Sequence, residues 1–152
     1  MGLDTSHDCW HGAYSAFMRW RQELAAAAGL PPLDFMEGFY AAIPGTEYQD
    51  PIYWAKKGLS DEKAFDDLRR RLPIKWSCLK PSPLHTLLNH SDCEGEIAWE
   101  DCGPIADALE ELLPKLPGGD GGGHIGNWRD KTKTFIDGLR RAFDAKENVD
   151  FH

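Results

Sequence analysis

The sequence predicts a mainly α fold, with α+β as the alternative class: a compact bundle of four to five short helices, a long aromatic-rich loop and at most a few short strands. Three observations predict it. Apolar side chains recur at helical spacing in several separate segments, strand-like alternation is confined to a few residues, and Gly and Pro clusters cut the segments apart. A chain of 152 residues has the usual size of one domain and can bury roughly two thirds of its unfolded surface. The expected organisation is a single domain over residues 1–152 with a flexible Gly-rich connector at 114–127.

The first helix is expected from about Ala13 to Ala28, where Tyr14, Phe17, Leu24 and Ala28 share one face and Gly29 with Pro31 and Pro32 forms the stop. From Leu33 to Gly58 aromatics cluster without a sustained period, which reads as turns and an ordered loop. Ser60 suits the N-cap of a helix over 61–72, with Asp61 and Glu62 at its positive pole and Arg69, Arg70 and Arg71 at its negative one. Ile74 to Leu79 suggests a short strand, and Ser82-Pro83 opens a further helix. Ile105, Ala108, Leu109, Leu112 and Leu113 mark the clearest helix, placed to begin near Asp101 so that Pro104 falls in its first turn. After the connector, a helix from about Arg129 to Ala145 is expected to turn Thr132, Phe135, Ile136, Leu139 and Phe143 inward, and Val149-Asp150-Phe151 alternates like a small strand.

Charge narrows the partners. With 25 acidic against 17 basic residues the formal charge is −8, so the long-range field repels duplex nucleic acid and anionic lipid. The apolar run Leu24–Leu30 falls well short of the roughly 20 residues a spanning helix needs. Without a signal-like opening segment, the expected location is the cytoplasm. Cys9, Cys78, Cys93 and Cys102 contain no C-x-x-C pair and are expected to be free thiols. Gly121, Gly123 and Gly126 satisfy G-x-G-x-x-G, but a helix and prolines precede them instead of a strand, so they read as connector.

Two segments concentrate polar chemistry. In the first, His7 and His11 are spaced i, i+4 around Asp8, a shortened likeness of the H-E-x-x-H zinc motif that Gly12 argues against. A pocket wall, with Trp10 for stacking and His7, Asp8 and His11 for hydrogen bonding, reads better than the zinc motif, and a capping turn with surface histidines is the leading reading of the segment. In the second, His90, Asp92, Glu94, Glu96 and Asp101 fall at calcium-loop positions around Gly95, although His90 stands where the loop needs a carboxylate and Asp101 where it needs Glu. A metal-free turn is therefore expected, with Asp92 and Asp101 accepting backbone N–H groups. No cofactor is favoured. Calcium at this loop, or zinc on His85, His90, Cys93 and Cys102, are the ions the donor sets admit.

The segments GLDTSHDCWHGAYSAF and LLNHSDCEGEI, with the ending GLRRAFDAKENVDF, resemble a family of uncharacterised small phage-encoded proteins. The resemblance implies a small accessory protein in a bacterial host cytoplasm that interferes with a host pathway, and it carries no catalytic residue. The leading functional expectation is a non-enzymatic binding module for a small anionic or nucleotide-like ligand or for a host protein. Its candidate binding residues are His7, Asp8, Trp10, His11, Tyr53, Trp54, His90, Ser91 and Asp92. The rival is a metal-dependent hydrolase in which His7, His11, His90 and Asp92 converge on one ion.

Overall fold

Phe17, Trp20, Arg21 and Leu24 are buried at helical spacing, and the segment carrying them is helix α1, Tyr14–Ala27. The computed structural model describes residues 2–39 and 73–152. They divide into two compact units, one formed by the chain up to Leu30 together with Ser82–His152, the other by Pro31–Pro81 between them. The architecture is mainly α.

In the larger unit, strand β1 (Gly2–Asp4) pairs antiparallel with β2 (His11–Ala13), which runs directly into α1. Gly29, at φ +72°, ends α1 by letting the Gly29 and Leu30 N–H groups return to the Ala26 and Ala25 carbonyl oxygens. Helix α2 spans Leu84–Leu88, and the Ser82 hydroxyl accepts from the Leu84 N–H at 3.2 Å. Strand β3 (Gly95–Ile97) then pairs antiparallel with the C-terminal strand β4 (Val149–Phe151), as the alternation at the end of the sequence suggests.

Helix α3 runs Trp99–Leu112. It starts two residues earlier than the position of Pro104 suggests, because the Asn148 side chain, far away in sequence, accepts the Trp99 N–H at 2.9 Å. Pro104 consequently sits one turn inside the helix with no N–H to return to the Glu100 carbonyl. Helix α4, Trp128–Ala145, is capped by Asn127, whose Oδ1 accepts from both the Arg129 and Asp130 N–H groups at 3.1 Å.

The core joins these elements through aromatic rings. Trp20 lies 4.7 Å from Phe135 between centroids, Phe17 5.9 Å from Phe151 and Trp10 5.1 Å edge-on to Phe17. The buried Trp20 Nε1 donates to Thr132 Oγ1 at 2.9 Å, and that hydroxyl donates in turn to the Trp128 carbonyl, so neither polar group is stranded. Leu113–Lys115 forms a 3-10 turn leading into the connector, in which residues 120–127 fold back through an Asp120–Asn127 bridge and Ile125 is buried.

In the smaller unit, Leu33–Phe35 is a 3-10 turn and Met36 forms a parallel bridge with Ile74. The strand expected over Ile74–Leu79 is reduced to that bridge. The Glu37 carboxylate takes the Trp76 N–H at 3.0 Å, and the chain turns into a 3-10 segment at Trp76–Cys78. The helix expected over 61–72 and the loop aromatics beyond Phe39 lie outside the described residues.

Candidate functional site

The N-terminal polar segment is a strand, a tight turn and a strand, so His7 and His11 do not share a helical face. Thr5 closes the turn: its N–H donates to the Trp10 carbonyl at 3.1 Å and its hydroxyl accepts the Trp10 N–H at 2.9 Å. His7 and Asp8 inside it both adopt left-handed backbone, at φ +60° and +55°. The turn holds this conformation by packing on the backbone of α4 at Gly138, while Arg141 donates to the His7 carbonyl at 2.7 Å. Trp10 is only 2% exposed, set against Phe17 and Trp20 with the Lys131 ammonium 4.2 Å above its ring, so it fills the core instead of offering a stacking face. His7 contacts Ser6 and Glu147, and the exposed His11 is bonded to Asp4.

In the central loop, His90 Nδ1 lies 2.7 Å from the Ser91 carbonyl oxygen and Nε2 3.2 Å from that of Glu96. Its ring lies tilted against Phe151 with centroids 4.1 Å apart. The turn is organised by the Ser91 hydroxyl, which accepts the Cys93 and Glu94 N–H groups at 3.3 and 3.4 Å, where the sequence suggested Asp92. Asn148 caps α3 where the sequence suggested Asp101. Both substitutes win because their side chains are already aimed at the donors. Asp92 instead supports the charge of buried Arg21, whose guanidinium burial pushes down to about 10 against the opposing pull of that carboxylate.

The two polar segments meet along β4. Thr5 bridges to Phe151 and the Ser6 hydroxyl accepts the Asp150 N–H at 2.8 Å on one side, while β3 and His90 hold Phe151 on the other. Their ligating atoms stay apart: among the described residues no three His, Cys, Asp or Glu side chains gather as a metal would require. Tyr53 and Trp54 lie outside the described residues. Of the thiols, Cys9 and Cys102 are buried, and burial pushes them up to about 12 and about 11, far from the thiolate a nucleophile needs.

The feature sequence reasoning missed lies between α3 and α4. A groove of about 570 Å³ is lined by Glu100, Gly103, Pro104, Asp107, Arg140, Phe143 and Asp144. Phe143, expected inward from helical spacing, is instead 40% exposed, the one large apolar side chain so exposed among the described residues. Gly103 explains it. The Phe143 ring lies across this glycine so closely that a Cβ there would stand 3.0 Å from the ring, so the ring rests on backbone at the helix edge with one face in solvent. Trp99 continues the apolar surface, 5.8 Å from Phe143 between centroids. The rim is acidic, and its cation Arg140 is held by Asp107 at 3.2 Å and Glu110 at 2.9 Å. Those bonds outweigh the cost of burial and raise its pKa. Gly103 and Pro104, adjacent inside α3, were the sequence signal of an unusual surface on that helix.

In the smaller unit, Pro31, Pro73, Ile74, Lys75, Cys78 and Leu79 line a second trough of about 490 Å³. Comparison with protein-family models, with curated proteins and with solved structures returns no match.

Proposed function

We propose that the protein is a non-catalytic binding module whose partner is a protein, in the manner of a small phage-type accessory protein that interferes with a host pathway from within the bacterial cytoplasm. One observation carries the reading: the open groove between α3 and α4, with an exposed aromatic on its floor and carboxylates on its rim. Aromatic side chains presented at the centre of a polar-rimmed depression are where protein interfaces concentrate their affinity. A small anionic or nucleotide-like ligand is disfavoured at this place, since Glu100, Asp107 and Asp144 repel it. The polar segments around β4 support the fold, and their histidines and hydroxyls are engaged in turn closure and strand pairing.

The test is a paired capture. Wild-type protein and a Phe143→Glu variant of unchanged circular dichroism are immobilised and exposed to host-cell lysate. The reading expects a protein held by the wild type and lost from the variant. Identical sets of retained proteins would reject it.

A further inference from the structure

Resting on the binding-module reading, we propose that the occupant of the α3/α4 groove is a cationic amphipathic helix of the partner protein. Three features converge on that class.

The first is shape. The groove runs between two helices, 14 and 18 residues long, and the natural third body for such a cleft is another helix, whose side-chain ridges fill the grooves of its neighbours at axial distances of about 8–10 Å. Gly103 lets the Phe143 ring lie flat against α3, so an incoming side chain meets the exposed ring with Pro104 beside it as further apolar contact. Anchors at i, i+3 or i+4 and i+7 are how a helix uses such a floor.

The second is charge. Helix α3 carries Glu100, Asp101, Asp107, Glu110 and Glu111 and no basic residue. Arg140 is already shared between Asp107 and Glu110, whereas Glu100 and Asp144, on opposite walls, form no ion pair among the described residues. Two carboxylates flanking an exposed aromatic complement a helix whose apolar stripe is bordered by Lys or Arg.

The third is the backbone. Pro104 returns no N–H to the Glu100 carbonyl, so the acid-rimmed wall lacks one regular helical hydrogen bond at the level of Glu100.

The experiment uses the full chain and three synthetic helices of about 18 residues, five turns each, sharing one apolar face and carrying Lys, Gln or Glu on the polar face. All three are good helix formers, so helicity is held level. Affinities are read by calorimetry, and the footprint by amide chemical shifts. The Lys-faced helix should bind about 10-fold more tightly than the Gln-faced one, the effect of two or three rim charge pairs. Its footprint should include Gly103, Asp107, Phe143 and Asp144. Phe143→Glu should weaken it about 30-fold, as loss of an aromatic anchor does.

The pair Glu100→Gln and Asp144→Lys should abolish the preference for Lys. Asp144→Lys places a cation at the carboxyl end of α4, where the helix favours it, so this variant stays folded. Equal affinity for the Gln- or Glu-faced helix, or a footprint elsewhere, overturns the proposal. So does a self-associated species lost in Phe143→Glu, which would make the occupant a second copy, or Phe143-dependent adsorption to neutral vesicles, which would make it a lipid surface. If no helix binds while lysate capture still depends on Phe143, the helix class falls and the binding-module reading stands. If both fail, both fall.

Discussion

Arg21 of α1 reaches across to the carboxyl end of α2, where its guanidinium donates to the Leu88 carbonyl oxygen at 3.2 Å. It also donates to the His90 carbonyl, lies 4.5 Å from the centroid of Phe17 and is 1% exposed. The last carbonyls of a helix have no partner of their own. A buried cation therefore finishes α2 in place of water. Arg21→Met should lower stability by about 3 kcal/mol or more, because it strands buried acceptors and leaves Asp92 without its compensating charge. Arg21→Lys should recover only part of that, since an ammonium cannot spread its donors across several carbonyls as a planar fork does. Urea unfolding of the three proteins checks both; a midpoint for Arg21→Met equal to wild type would show that the carbonyls find water instead.

Gly138 and Gly103 predict opposite outcomes for the same substitution. A Cβ at Gly138 would stand 2.5 Å from Cys9 Sγ, 2.8 Å from Cys9 Cα and 2.9 Å from the His7 carbonyl oxygen. Two of those are backbone atoms of a turn already held in left-handed conformation, so nothing nearby yields. Gly138→Ala should therefore cost about 1–3 kcal/mol in spite of the roughly 1 kcal/mol that alanine gains over glycine in a helix. At Gly103 the obstacle is the exposed ring of Phe143, which can swing away. Gly103→Ala should be neutral or stabilising by up to about 1 kcal/mol. Thermal melts of the two variants against wild type make the comparison.

The four thiols should divide cleanly by reactivity. Cys78 and Cys93 are exposed and should react with a disulfide reagent in the native protein, whereas Cys9 and Cys102 should react only as it unfolds. Burial raises the last two from 9.0 to about 12 and about 11. A group that holds its proton more tightly when folded adds stability that is complete below the unfolded value and is lost as pH rises towards the folded one. Melting temperature should accordingly fall from about pH 9 upward, as these two thiols ionise on unfolding. Cys9→Ala should flatten that decline; an unchanged alkaline slope would assign it to other groups.

Calcium should not order the central loop. The Glu96 carbonyl, which a calcium loop would turn to its ion, faces His90 Nε2 at 3.2 Å, and the Glu96 carboxylate accepts from Asn148 at 3.2 Å. Asp101 lies in the first turn of α3. Too few oxygens remain for the six to eight that calcium takes at about 2.3–2.6 Å. Intrinsic tryptophan fluorescence, with Trp99 beside the loop, should show no saturable change up to a few millimolar calcium, the weak end of such sites. A saturable change removed by Asp92→Ala would show that the loop rearranges to bind.

Elements whose causes are local can be read along the chain. Helical spacing of Phe17 and Leu24, of Ile105 and Leu109, and of Phe135 and Leu139 is enough to place α1, α3 and α4, because each helix buries one stripe whatever its neighbour. The alternation at Val149–Phe151 likewise marks β4, though not that its partner is Gly95–Ile97. Whatever depends on the residue standing opposite is set by packing. Trp10 and Phe143 are both large aromatics in the sequence; one is sealed by Phe17, Trp20 and Lys131, while the other is left in solvent because Gly103 gives it only backbone to rest on. The same reason moves the cap of α3 to Asn148 and the α2 terminus to Arg21. Hydrogen-bond donors and acceptors are satisfied by whichever partner the packing brings within about 3 Å, and separation along the chain does not measure that distance.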